Sequence, residues 1–230
     1  MERHLQRELE KIKKRILSLG TMAEEQVRQA VKSFETRNAD LAARVINNDH
    51  EIDEIEVELE EECLKIMALH QPFAGDLRFI TAVIKINNDL ERIGDEAVNI
   101  AERVTDLCRR PPVNVTFDYD IMTEKTEAML KNSLDALVNL DSDLAHRVCL
   151  ADDEVDQINR DIYDKVKAAI AKDPERVGYL INLLFISRHL ERIADHATNI
   201  AEEVMYMVDG VIPRHRKDKP YPDDSEENLI

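Results

Sequence analysis

Apolar residues recur along most of this chain at spacings of three and four, the period of a helix with one buried face. With Glu91 set at zero and ~100° turned per residue, Asp95 falls at ~40°, Asn99 at ~80° and Glu102 at ~20°. Leu90, Ile93, Ala97, Ile100, Ala101 and Val104 gather between ~180° and ~280°, so the acidic stripe looks away from the core. The pattern breaks at Asn38, at Gln71-Pro72, from Arg110 through Tyr119, at Asp141-Ser142 and at Asp173-Pro174. Asn38 and Asp141 or Ser142 read as N-caps, and proline disfavours helix in the residue before it. Six long helices are therefore expected, over 3–35, 39–70, 74–108, 120–139, 142–172 and 175–208. Rods of ~30 residues are ~45 Å long, and short turns between them make neighbours antiparallel.

The same pattern occurs twice. Residues 90–102 read LERIGDEAVNIAE and residues 190–202 read LERIADHATNIAE, ten matches in thirteen. Upstream, Asp40-Leu41-Ala42 with Arg44-Val45, and Asp49, Glu51 and Asp53, return at an offset of 103 as Asp143-Leu144-Ala145 with Arg147-Val148, and Asp152, Glu154 and Asp156. Further back only the apolar pattern repeats, with Val27, Val31 and Phe34 aligning with Leu130, Leu134 and Leu137. Internal repetition decides the architecture. The expected fold is all-α, two tandem, pseudo-symmetric three-helix bundles over residues 1–110 and 119–208. A Pro-rich, charged tail over 209–230 reads as mobile. Whether the bundles lie side by side or end to end is open at this level.

Composition narrows the functional classes. With aromatics at 4% and no Trp, the core must be aliphatic. A net charge of −17 argues against a nucleic-acid partner, which needs clustered Lys and Arg. No apolar run reaches the ~18 residues of a membrane span, and the basic N-terminal stretch lacks the apolar segment of a secretory signal. Cys63, Cys108 and Cys149 are odd in number and far apart, which disfavours a disulfide framework or a Cys-based zinc site and fits a reducing cytoplasm.

The candidate chemistry lies in the repeated stripe. Counted from the turn near residue 72, Asp53 stands level with Glu91 and Asp49 with Asp95; counted from Pro174, Asp156 stands level with Glu191 or Arg192, and Asp152 with Asp195 or His196. Four carboxylates at one level repel one another unless a cation neutralises them. Cysteine-free oxygen clusters suit hard cations such as magnesium, calcium, manganese or iron. Asn99 and Asn199 are weaker members of the same stripes. The bland alternative is a solvated acidic face with surface ion pairs through Arg92 and Arg192. His189 and His196, where the first copy has Asp89 and Glu96, read as surface residues. Gly75 through Arg78 reads as an ordinary helix start rather than an anion site. No phosphate loop, nucleophile elbow or catalytic triad signature is present, so no enzymatic function is expected.

Two three-helix repeats carrying LERIGDEAVNIAE and LERIADHATNIAE, the first preceded by HQPFAGDLRFI, resemble the PhoU family over about residues 3–208. The resemblance implies a cytoplasmic, usually dimeric negative regulator of phosphate uptake and of the phosphate-starvation response. It further implies a bridge between the phosphate ABC transporter, through its ATPase, and a membrane sensor histidine kinase. Some members hold multinuclear metal clusters, so it implies iron, magnesium, manganese or zinc on Asp49, Asp53, Glu91 and Asp95, and on Asp152, Asp156, Glu191 and Asp195. A metal-dependent phosphohydrolase and a purely structural acidic bundle are the alternatives.

Overall fold

The computed structural model of the protein describes residues 2–112 and 117–211. α1 spans Glu2–Glu35, α2 Ala39–Asn48, α3 His50–His70 and α4 Ala74–Cys108. α5 spans Tyr119–Asn139, α6 Ser142–Lys172 and α7 Val177–Asp209, with a 3₁₀ turn at Pro174–Arg176 before the last. Equivalent caps start the second rod of each repeat. The Asn38 side chain accepts the Leu41 N–H at 3.0 Å, and Asp141 accepts the Leu144 N–H at 2.8 Å, each satisfying a donor the helix leaves orphaned.

One expected rod is broken. The helix predicted over 39–70 is interrupted at Asp49, whose φ of −59° and ψ of −38° nevertheless keep the chain running in the same direction. Asn47, Asn48 and Asp49 have short polar side chains that compete for backbone hydrogen bonds. In the second copy Leu150 and Ala151, good helix formers, precede Asp152, and α6 is continuous. At the other end α7 runs one residue further than expected, to Asp209. Gly210 closes it at φ +71°, its N–H on the Tyr206 carbonyl at 3.1 Å. The rest of the expected mobile tail, residues 212–230, lies outside the described residues, as do 113–116 of the connection.

α1 to α4 form one bundle and α5 to α7 the other, and the two lie side by side. α4 and α7 run antiparallel along a shared seam: Arg103 lies over the Phe185 ring, His189 meets Glu96, His196 meets Asp89, and Lys85 meets Glu203. The pseudo-two-fold relation continues to both ends of the seam, where Arg110 packs against Gly178 and Arg78 against Gly210. α1 also packs on α5, closely enough that a Cβ on Gly20 would stand 2.8 Å from Leu134 Cδ2. Leu90, Ile93, Ala97, Ile100 and their counterparts Leu190, Ile193, Ala197 and Ile200 are all buried, as the periodicity predicts. The core is mainly aliphatic, with Tyr119 and Tyr179 also buried in it, and burying it supplies the dominant favourable term for holding the bundles. Among the described residues no helix is long and apolar enough to cross a membrane.

Candidate cation-binding grooves

In the first bundle Asp49 at the α2–α3 break and Asp53 on α3 share one groove with Glu91 and Asp95 of α4, each within electrostatic reach of others in the set. Gly94 lies on the α4 side of it, so near its neighbours that an added Cβ would stand 3.4 Å from Asp49 Oδ1 and 3.3 Å from Ile52 Cδ1. Partial burial, then the charges of Asp49, Asp53 and Glu96, push the Asp95 carboxyl above its ordinary value against the opposing pull of Arg92. Glu91 is raised by burial and then by Asp95, Asp53 and Glu56. Asp49 is raised by burial and by Asp53, even though the Gln26 amide donates to its Oδ1 at 2.8 Å and opposes the shift. The pairing counted from the turn, Asp53 with Glu91 and Asp49 with Asp95, thus appears as electrostatic neighbourhood.

The second groove repeats the arrangement between α6 and α7. Burial, then Asp156, and more weakly Asp152, raise the Glu191 carboxyl, while Arg188 and Arg192 oppose them. Asp156 also meets Arg160, one turn along α6, at 3.5 Å. Asp195 is exposed, as Asp95 is. The carboxylates within each groove stand apart: among the described residues no three His, Cys, Asp or Glu side chains come close enough together to chelate one ion.

Two expectations are corrected at the seam. His189 is buried, with its Nδ1 2.5 Å from Glu96 Oε2, and His196 is largely buried, with its Nδ1 2.8 Å from Asp89 Oδ1. Neither is a surface residue, because each lies where α4 and α7 meet, against an acid of the other repeat. Asn99 and Asn199 turn the same way, Asn99 donating to Glu96 Oε2 at 3.4 Å and Asn199 to Asp89 Oδ1 at 3.0 Å. Both also line the groove between the repeats together with Glu91, Asp95 and Asp195. Sequence reasoning missed this pairing, although the signal was present: the copies differ at positions 89/189 and 96/196 by acid in one and His in the other.

Between the two stripes runs a groove of about 880 Å³, bordered by Glu91, Arg92 and Asp95 on one side and by Arg192, Asp195 and Thr198 on the other. Among the described residues no disulfide joins Cys63, Cys108 or Cys149, and burial pushes the Cys63 thiol up to about 12, so it is inert as a nucleophile. Near the α4 start, Arg78 packs on Gly210 at the end of α7.

The PhoU domain family model matches residues 16–104 and 120–204, one copy in each bundle. A phosphate-specific transport system accessory protein PhoU homolog of Aquifex aeolicus is 37% identical over 210 residues, 91% of this chain and 95% of that one. The homolog of Pseudomonas aeruginosa is 36% identical, over 90% of this chain and 86% of its own. The crystal structure of PhoU from Pseudomonas aeruginosa superimposes with a TM-score of 0.87 at 35% identity, covering 90% of this chain and 99% of that one. That of the phosphate transport system regulatory protein PhoU from Streptococcus pneumoniae gives 0.79 at 27% identity, covering 90% and 98%.

Proposed function

Since the chain belongs to the PhoU family, we propose that it regulates phosphate transport as an accessory protein that acts by binding partners and not by catalysis. The finer reading is a cytoplasmic, homodimeric adaptor that restrains phosphate uptake and the starvation response. Its partners in this reading are the ATPase of the phosphate ABC transporter and a membrane sensor histidine kinase. The observation that carries it is the near-full-length match of both bundles to accessory proteins of phosphate-specific transport. The two-bundle body, with Asp95 and Asp195 exposed, suits docking.

The grooves are proposed to take hard divalent or multinuclear cations, iron, magnesium, manganese or zinc. Asp49, Asp53, Glu91 and Asp95 would hold them in the first groove, and Asp152, Asp156, Glu191 and Asp195 in the second. Two observations fit a cation to the first groove beyond the donor chemistry. Gln26 Oε1 is buried with no hydrogen-bond partner in the protein, and it borders the notch that Gly94 leaves by lacking a Cβ. A bound cation would neutralise the mutual repulsion of the carboxylates and tie α3 to α4.

Affinity capture of the full chain from phosphate-replete cells, followed by mass spectrometry, tests the adaptor reading. Recovery of the transporter ATPase or the kinase is the expected result. A captured protein that brings down neither, under conditions where tagged transporter recovers its own subunits, would overturn it.

A further inference from the structure

The two grooves are built from one repeat, yet their floors differ. In the first, Gln26 of α1 is only 7% exposed and donates its Nε2 to Asp49 Oδ1 at 2.8 Å. That hydrogen bond fixes which way the amide faces, and it leaves Oε1 buried without a partner in the protein. The Oε1 atom stands 3.2 Å from where a Cβ on Gly94 would lie, beside Asp49 Oδ1 at 3.4 Å, so both oxygens meet at the same notch in α4. Buried carbonyl oxygens rarely stay unpaired, and each exception calls for an explanation.

The second groove lacks both features. The position repeating Gln26 is Met129, buried and apolar, and the position repeating Gly94 is Ala194, fully buried, whose Cβ occupies the notch. Asp152 and Val155 repeat Asp49 and Ile52, so the carboxylates recur while the amide and the notch do not.

We propose that Gln26 supplies a neutral amide oxygen to a cation in the first groove, and that the two grooves therefore bind hard cations unequally, the first more tightly. This rests on the cation reading given above and adds to it a named donor and a ranking. Amide carbonyls are ordinary ligands of hard cations, alongside carboxylates. An added oxygen that brings no charge strengthens the site without deepening the repulsion among Asp49, Asp53, Glu91 and Asp95. Gln26 also holds Asp49 by hydrogen bond, which orients that carboxylate, and loss of such support lowers metal affinity about 10- to 100-fold in known sites.

Manganese(II) alone, titrated into the metal-stripped full chain and followed by the electron paramagnetic resonance of the free ion, separates the cases. The wild type should show two classes of site differing by about tenfold or more. Asp95→Asn should remove the tight class and Asp195→Asn the weak one. Gln26→Met, which copies the second repeat's own residue, should weaken the tight class by about tenfold or more and leave the weak class alone. Gln26→Leu should do the same, which guards against a sulfur effect, and far-ultraviolet circular dichroism checks that each variant stays folded. Unchanged tight binding in both Gln26 variants, with Asp95→Asn still abolishing it, overturns the role of Gln26 and leaves the cation reading standing. Loss of the tight class in Asp195→Asn overturns the ranking. A wild type that takes up no manganese overturns both.

Discussion

His189 Nδ1 lies 2.5 Å from Glu96 Oε2 across the seam, and one pseudo-two-fold step away His196 Nδ1 lies 2.8 Å from Asp89 Oδ1. Each contact joins a position of one repeat to a position of the other. Because α4 and α7 cross antiparallel, 89 meets 196 and 96 meets 189. Had both copies kept acids there, each bridge would be two carboxylates in contact, which disfavours ionisation of both. The divergence of the copies at these positions is thus a compensated pair of changes that lets one repeat recognise the other.

Glu96 is the more committed of the two acids, since it also accepts from Arg192 Nη1 at 3.2 Å. Burial alone would raise its carboxyl, but the hydrogen bonds and charges of His189 and Arg192 outweigh that and hold it below its ordinary value. Glu96→Ala should destabilise the protein by about 2 kcal/mol, by leaving a buried imidazole and a guanidinium short of a partner. The exchange Glu96→His with His189→Glu should recover part of the loss. Urea unfolding of the two single variants and the double one measures the coupling.

The helices were legible because burial dictates the period, and the inward residues Leu90, Ile93 and Ile100 are buried as that period requires. The level pairing of Asp49 with Asp95 and of Asp53 with Glu91 was legible because a hairpin turn fixes axial register. Rotation of one bundle against the other was not. It depends on which stripes of two amphipathic helices meet, and α4 presents Glu96 and Asp89 to α7 along an edge that reads as polar surface in isolation. Gln26 escaped notice for a related reason: it stands in the apolar stripe of α1, where a lone amide carries no periodic signal.

Arg37 fastens the opposite end of the seam. At φ +49° it sits in the turn before α2, donates Nη1 to the Tyr179 hydroxyl at 2.7 Å, and places Nη2 on the Leu107 and Arg110 carbonyls at 2.6 and 2.9 Å. It therefore adds a charged donor to carbonyls at and just beyond the last turn of α4 while stacking on a ring of α7. Arg37→Ala should cost about 2–3 kcal/mol. Arg37→Lys should recover little, because a single ammonium cannot span the three acceptors as the guanidinium fork does. Thermal unfolding of both variants beside wild type is the check.

Glu127, half-buried on α5, carries a pH-dependent penalty away from the grooves. Burial, then the charges of Glu35 and Glu24, raise its carboxyl above 4.5, with Arg28 opposing. A carboxyl raised in the folded state destabilises the fold once it ionises, so the penalty is full above the folded value and absent below the unfolded one. Glu127→Gln should then raise the melting temperature at pH 7 by an amount worth under about 1 kcal/mol. That advantage should shrink as pH falls and disappear below the ordinary value of 4.5. A melting series from pH 7 to below that point reads it directly, and an advantage that grows on acidification would contradict the assignment.

Ile93 and Glu91 are two residues apart on α4 and face opposite ways, one into the core and the other into the acidic groove. Ile93→Ala should cost about 2–5 kcal/mol, since a fully buried side chain leaves a cavity that the surrounding aliphatic residues fill only in part. Glu91→Gln should leave stability unchanged or slightly higher in the presence of a chelator, because it removes one charge from a set that repels itself. Added manganese(II) should reverse that order. A ligand that binds only the folded state stabilises by mass action, so wild type should gain melting temperature with manganese while Glu91→Gln gains less. Ile93→Ala should keep the manganese-dependent gain from its lower starting point, because its groove is intact. Differential scanning calorimetry of the three proteins, each with chelator and with manganese, separates the core contribution from the groove contribution. Equal gains in wild type and Glu91→Gln would remove Glu91 from the site.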